Sequence, residues 1–165
     1  VVDKSAPLLF NVKMTKDYRA SANLVLSWQD IHRDSVELAR RVEPHGPFTG
    51  IVAIARGGLV PAAVLARVLD LRMVETVCVA SYDDGFQLDG MTILKQLQGH
   101  NGAGMLVVDD LVDTGATARV VRQMLPEAHF AGLYAKPEGR DTLDTFVTPV
   151  EQDVWIVFPW DADPD

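Results

Sequence analysis

Cysteine is nearly missing from this chain of 165 residues, with Cys78 its sole representative. It sits in an apolar run without a CxxC companion, which excludes a disulfide framework and gives a cysteine-bound zinc site no support. A small buried hydrophobe is its default reading. Positive charge is also scarce: 15 Lys and Arg stand against 23 Asp and Glu, for a formal net charge of −8 and a pI near 4.9. That balance leaves no basic footprint for a phosphate backbone, so nucleic acid is not expected as a partner. No window approaches the roughly 20 apolar residues that a spanning helix needs, and the first residues show no basic region leading into an apolar stretch. We expect no integral membrane segment and a soluble, cytoplasmic protein. Internal repeats and low-complexity tracts are lacking too.

What is present is a 48% hydrophobic content, enough for one substantial core; domains of this size class hold about 100 to 150 residues. We expect one domain over residues 23–165, preceded by an N-terminal extension over residues 1–22 whose purpose the pattern does not reveal. At "SWQDIHRDSVELARRV", Ser27 followed by Asp30 forms a capping box, and Ile31, Leu38 and Val42 share one helical face. This predicts a helix over Trp28 to Val42. "GIVAIA", residues 50–55, is the short, nearly all-apolar run of a strand covered on both faces. A helix is expected at "LVPAAVLARVLD", with Pro61 tolerated in its first turn.

Further strands are expected at "TVCVAS" (76–81), "MLVVDD" (105–110), "HFAGLYAK" (129–136) and "DVWIVF" (153–158). The stripe Val120, Val121, Met124 and Leu125 predicts a helix after the third of the five. Strands alternating with helices predict an α/β fold, a parallel, Rossmann-like sheet flanked by helices. Residues 82–104 are polar and long for an idle connection, so a mobile lid is expected there.

The stretch "MLVVDDLVDTGATA" concentrates the chemistry. In an open α/β sheet, ligands bind beyond the carboxyl ends of the strands. Thr114, Gly115, Ala116 and Thr117 lie where a strand hands over to its helix, so their N–H groups and hydroxyls, aided by the helix dipole, suit a phosphate. Carboxylates beside a phosphate make sense if Asp109 and Asp110 accept from sugar hydroxyls or help hold hydrated Mg²⁺. Asp113 stands nearest the turn and could take up or hold a proton. For an Asp pair alone, capping a turn or holding a lone metal is the commoner role; the whole stretch is far more specific.

That stretch, running through Leu111 and Val112 to Thr117, resembles the phosphoribosyl-pyrophosphate (PRPP) signature of the type I phosphoribosyltransferases. "GIVAIARGGLVPAAVLAR", "TVCVASYD", "AHFAGLYAKPEGR" and "QDVWIVFPWD" extend the likeness over residues 23–161, toward the bacterial xanthine-guanine branch. The resemblance implies that fold, with a small hood and a flexible lid, and a purine-salvage enzyme. Such an enzyme moves 5-phosphoribosyl from PRPP to N9 of guanine or xanthine, and less well hypoxanthine, releasing pyrophosphate. It implies Mg²⁺ as cofactor, with Asp110 as a ligand, and a homo-oligomer, dimer or tetramer. Peripheral association with the inner membrane is a further property that the resemblance implies.

Residue by residue, the resemblance gives Arg56 and Gly57 to the pyrophosphate, in a loop that often contains a non-proline cis peptide. It gives the ribose hydroxyls to Asp109 and Asp110, and the 5′-phosphate to the turn from Thr114 to Thr117. For the purine, it assigns Asp113 near N7 as the catalytic group, Lys136 at O6, Trp155 as the stacking ring and the backbone around Ile156 at position 2. Trp160 and Asp161 close the pocket. Read without it, Arg56 would be a surface cation, Lys136 a solvated lysine and Trp155 simply core. The chain departs from the pattern at Ala55, where the family often has serine, and at Leu88, where a basic lid residue is expected, with Lys95 as a substitute. Two alternatives stay open: a hypoxanthine-guanine-specific enzyme and a non-catalytic PRPP or nucleotide sensor. A Mg²⁺-dependent phosphoacceptor domain is more distant, because the Thr-Gly-Ala-Thr turn does not suit it.

Overall fold

The computed structural model describes residues 23–80, 87–88 and 90–161. The expected N-terminal extension, residues 1–22, lies outside the described residues. The elements are β1 (Asn23–Val25), α1 (Trp28–Val42), β2 (Gly50–Ala55), α2 (Leu59–Val68), β3 (Val74–Ala80), β4 (Gln87–Leu88), β5 (Met91–Lys95), β6 (Met105–Val112), α3 (Ala116–Met124), β7 (His129–Ala135), β8 (Thr145–Pro149) and β9 (Trp155–Val157). Helix α1 begins and ends where its pattern predicts. The Ser27 hydroxyl accepts the Asp30 N–H at 3.2 Å, and the Asp30 carboxylate accepts the Ser27 N–H at 2.9 Å, so two donors at the helix start are satisfied reciprocally.

Seven strands form the main sheet in the order β4-β5-β3-β2-β6-β7-β8. The five from β3 to β8 are mutually parallel, while β5 and β4 add on antiparallel at one edge. Alternation along the central strands divides the core between two faces. Ile51 and Ala53 of β2 and Leu106 and Val108 of β6 pack with α1 and α2; Val52, Ile54, Met105 and Val107 pack with Val121 of α3 and with Leu125. Covering on both faces explains why these strands read as continuous apolar runs. Leu38 is fully buried, and burying a leucine side chain contributes about 1.5–3 kcal/mol.

Strand order reverses between β2 and β6: the chain leaves β2 through α2 toward β3 on one side, and leaves β6 through α3 toward β7 on the other. A crevice opens beyond the carboxyl ends of two strands at such a switch point. It is floored by the Arg56–Gly58 turn and the Asp113–Gly115 turn.

Two expectations are corrected. The fifth parallel strand of the sheet is β8, bonded to β7, and not the "DVWIVF" segment. Within that segment, Trp155, Ile156 and Val157 pair in parallel with Asn23, Leu24 and Val25, forming a separate two-stranded hood. Strand β6 continues two residues past Asp110, so Leu111 and Val112 are still strand. Within the segment expected as a lid, β4 and β5 form a hairpin that pairs with β3 through β5; residues 82–86 and 89 of that segment lie outside the described residues.

Candidate active site

The turn after β2 is pressed against the end of β6. A Cβ on Gly57 would fall on the Asp110 carboxylate, and one on Gly58 would fall on the Val108 carbonyl. Only glycine lets the two strand ends approach this closely. The Ala55–Arg56 peptide is cis. Gly58 N–H donates to the Ile54 carbonyl at 2.8 Å, and Leu59 N–H to the Arg56 carbonyl at 3.1 Å, which closes the turn into α2.

After β6, Gly115 takes a left-handed conformation (φ 80°) at the N-cap of α3, a geometry that costs glycine little. The Arg119 guanidinium donates to the Thr114 carbonyl at 3.0 Å and braces the turn from behind. The leading N–H groups of α3 therefore face the carboxyl ends of the strands, as an anion site requires. Thr114, Gly115, Ala116 and Thr117 line a small cavity of about 170 Å³, together with Asp109 and Met91 of β5.

A larger cleft of about 630 Å³ adjoins it. Its polar wall includes Arg56, Gly57, Asp110, Asp113 and Lys136, and its apolar wall Trp155, Ile156, Phe158 and Trp160. Leu111 and Asp113 line both cavities. Phe158 and Trp160 stack at 4.8 Å with their planes 7° apart, so the hood presents flat aromatic surface to the cleft. Asp161 also lines the cleft, and its carboxylate accepts the Phe158 N–H at 3.2 Å.

The electrostatics follow from burial. Desolvation, with the neighbouring Asp110 charge added to it, holds the Asp109 carboxyl well above its usual range. Asp110 is also raised, again chiefly by burial. Asp109 accepts the Asp110 N–H at 3.0 Å and Asp110 accepts the Leu111 N–H at 2.7 Å, which fixes both side chains. Lys136 follows β7, where its N–H donates to the Val112 carbonyl at 2.9 Å. Its side chain is only 6% exposed, and its Nζ lies 3.4 Å from Oδ1 of the half-exposed Asp113.

The structure brings together Arg56, Gly57, Asp110, Asp113, Lys136, Trp155 and Ile156 in the cleft, with Asp109 and Val112 in the smaller cavity. It places Lys95 elsewhere: its ammonium group donates to Thr76 Oγ1 at 2.7 Å and pairs with Glu75 at 3.2 Å, and it lines a different cavity. The side chain of Leu88 lies outside the described residues. Two residues were not anticipated. A Cβ on Gly139 would lie 2.6 Å from the Asp113 carbonyl and 2.7 Å from the Gly115 nitrogen, so the turn after Lys136 rests directly on the anion cradle. Gln152 donates to Asp113 Oδ1 at 2.7 Å. The glycine in "KPEG" carried a usable signal; the glutamine opens the "QDVWIVFPWD" block, but nothing there points to a partner 39 residues away.

Fold and site together define an α/β protein with an anion cradle and an aromatic-walled cleft side by side at a topological switch point. The chain belongs to the phosphoribosyl transferase family: the profile of the phosphoribosyl transferase domain matches residues 25–165. It is 56% identical over 138 residues to a xanthine-guanine phosphoribosyltransferase of Nitratidesulfovibrio vulgaris, covering 84% of each chain. It is 53% identical over 143 residues to that of Chromohalobacter salexigens, covering 87% of this chain and 86% of the other. Among solved structures, it superposes on a purine phosphoribosyltransferase from Pyrococcus horikoshii with a TM-score of 0.74 at 30% identity, covering 87% of this chain and 97% of that one.

Proposed function

We propose that this chain transfers the 5-phosphoribosyl group of PRPP to N9 of guanine or xanthine, and less well hypoxanthine, with release of pyrophosphate. One observation carries the reading: Asp113 and Leu111 form a wall shared by an anion cradle and a flat-walled cleft, so a single nucleotide can span both. The names of the relatives that match over most of the chain point the same way.

In this reading, the cradle from Thr114 to Thr117 takes the 5′-phosphate, and Asp109 and Asp110 accept from the ribose hydroxyls. Arg56 and the Gly57 backbone take the pyrophosphate. As its bond to the anomeric carbon breaks, positive charge grows on the ribose and negative charge on the leaving group. The purine lies against Trp155, with Lys136 at O6 and the Ile156 backbone at position 2. As N9 bonds to the anomeric carbon, the proton on N7 passes to the Asp113 carboxylate, assistance typically worth about 10²- to 10⁴-fold.

Mg²⁺ fits beside Asp110. The two adjacent carboxylates are hard oxygen donors, and among the described residues no cluster of three ligating side chains would cage a metal. Such an ion keeps waters and takes phosphate oxygens in addition to one or two carboxylates. When bound, it would neutralise charge on the pyrophosphate.

A homo-oligomer is part of the proposal. Val68 at the end of α2 and, after it, Met73 and Val74 are large apolar side chains more than 40% exposed. A second copy packed over these side chains would bury them. Among the described residues no helix is long and apolar enough to cross a membrane. The test of the reaction offers guanine, xanthine, hypoxanthine and adenine separately with PRPP and Mg²⁺ and follows nucleotide formation. Product with the 6-oxopurines and not with adenine is expected. Tight PRPP binding without turnover on any base would favour a sensor.

A further inference from the structure

Gln152 lies in the connection between β8 and β9, at the start of the "QDVWIVFPWD" block, where the family likeness gives it no role. Its side chain divides its work between two partners. The Nε2 amide donates to Asp113 Oδ1 at 2.7 Å, and the Oε1 accepts the Glu138 N–H at 3.1 Å. Asp113 Oδ1 also faces the buried Lys136 Nζ at 3.4 Å. Both donors thus converge on one carboxylate oxygen, and Oδ2 is left for a ligand.

We propose that Gln152 is a positioning residue for the transfer reaction. Its amide group clamps Oδ1 so that Oδ2 of Asp113 faces the purine at the angle needed to accept a proton. The inference rests on the reading of Asp113 as the group that takes the N7 proton. Without the clamp, a half-exposed aspartate samples several rotamers, and Lys136, which must also serve the purine O6, is the remaining tether on Oδ1. The second bond, to Glu138, holds the amide itself: it fixes which end of the side chain is oxygen, since the Glu138 N–H requires an acceptor. A glutamine suits this because it carries a donor and an acceptor on one rigid plane.

The design allows the two halves to be separated. Gln152→Glu keeps the shape and the acceptor for Glu138 but replaces the donor with a second carboxylate against Asp113. Gln152→Leu removes both. If the donor half matters, both variants lose kcat by about ten- to a hundredfold, the range of one charge-assisted hydrogen bond. The KM for PRPP and the melting temperature measured with PRPP and Mg²⁺ stay near wild type. In an Asp113→Asn background, adding Gln152→Leu causes no further loss, because the clamp has nothing left to orient.

Wild-type kcat in either variant overturns the proposal: in Gln152→Glu alone it reduces Gln152 to an anchor for the loop, and in both it removes any role. Equal losses in kcat and thermal stability also overturn it, since a loosened loop would then suffice. Asp113→Asn measured alone keeps the two claims apart. Full turnover in that variant rejects the reading of Asp113 itself, whereas a loss there with intact Gln152 variants rejects only the clamp.

Discussion

Lys136→Met should separate activity from stability. The ammonium group is buried, with its side chain 6% exposed, and pairs with Asp113 at 3.4 Å. At an effective dielectric of about 20, unit charges at that distance attract by roughly 5 kcal/mol. Asp113 is 52% exposed, however, so solvent screens much of this attraction, as in surface pairs worth about 0–1 kcal/mol. Desolvation of the lysine opposes what remains. Methionine fills nearly the same volume without a charge, and its removal leaves Asp113 able to hydrate. The net change in folding stability is therefore within about 1 kcal/mol, or a shift of about 2–4 °C in melting temperature for a chain of this size. Loss of a charged donor to O6 is worth about 1.5–3 kcal/mol, so kcat/KM for guanine should fall about ten- to a hundredfold. Discrimination between hypoxanthine and adenine should shrink with it. Calorimetry and steady-state kinetics on the same preparation test this. A melting temperature lowered by 10 °C or so, with purine kcat/KM unchanged, would show that the lysine is structural and refute the argument.

Three further outcomes follow from the geometry. Asp109→Asn should raise the melting temperature of the ligand-free protein by a few degrees, of the order of 1 kcal/mol, while abolishing PRPP binding by calorimetry. Its folded-state pKa is raised by burial, so the ionised form destabilises the native state above that pKa, and the asparagine keeps the acceptor for the Asp110 N–H. Gly139→Ala should raise the KM for PRPP and cost about 1–3 kcal/mol in urea unfolding, because the new methyl group would lie 2.6 Å from the Asp113 carbonyl. At the start of α1, hydrogen bonds from the Ser27 hydroxyl and N–H, and from Arg33, lower the Asp30 carboxyl from 3.8 to about 2. The depressed value means that its contribution is full above about pH 4 and is lost as pH falls through about 2; Ser27→Ala should flatten that acid limb in thermal melts and cost about 1 kcal/mol at neutral pH.

The sequence was most legible where structure is local. The Ser27–Asp30 capping box gives α1 its start, and the double-sided burial of β2 and β6 gives their apolar runs. Pairings made over distance were hidden. Strand β8, "TFVTP", is an edge strand with partly buried residues and a terminal proline, so it lacks the apolar run that marks its neighbours. The hood joins Asn23–Val25 to Trp155–Val157, and nothing local announces that pairing. The hairpin of β4 and β5 had a signal in Gly90, which lies at φ 77°, since tight hairpin turns favour glycine where φ is positive. The polar length of the surrounding segment outweighed it. In the site, the residues of the β6 turn share one short stretch and were readable together, whereas Arg56, Lys136 and Trp155 leave other elements and were placed through the family likeness. Gln152 reaches Asp113 only once the sheet has formed.

The most direct measurement is a crystal structure of the protein with GMP. The account predicts the phosphate against the N-terminus of α3, between Thr114 and Thr117, the ribose hydroxyls on Asp109 and Asp110, and the guanine ring on Trp155 with O6 at Lys136. A nucleotide bound with its phosphate away from that turn, or with its base outside the Trp155 cleft, would contradict it.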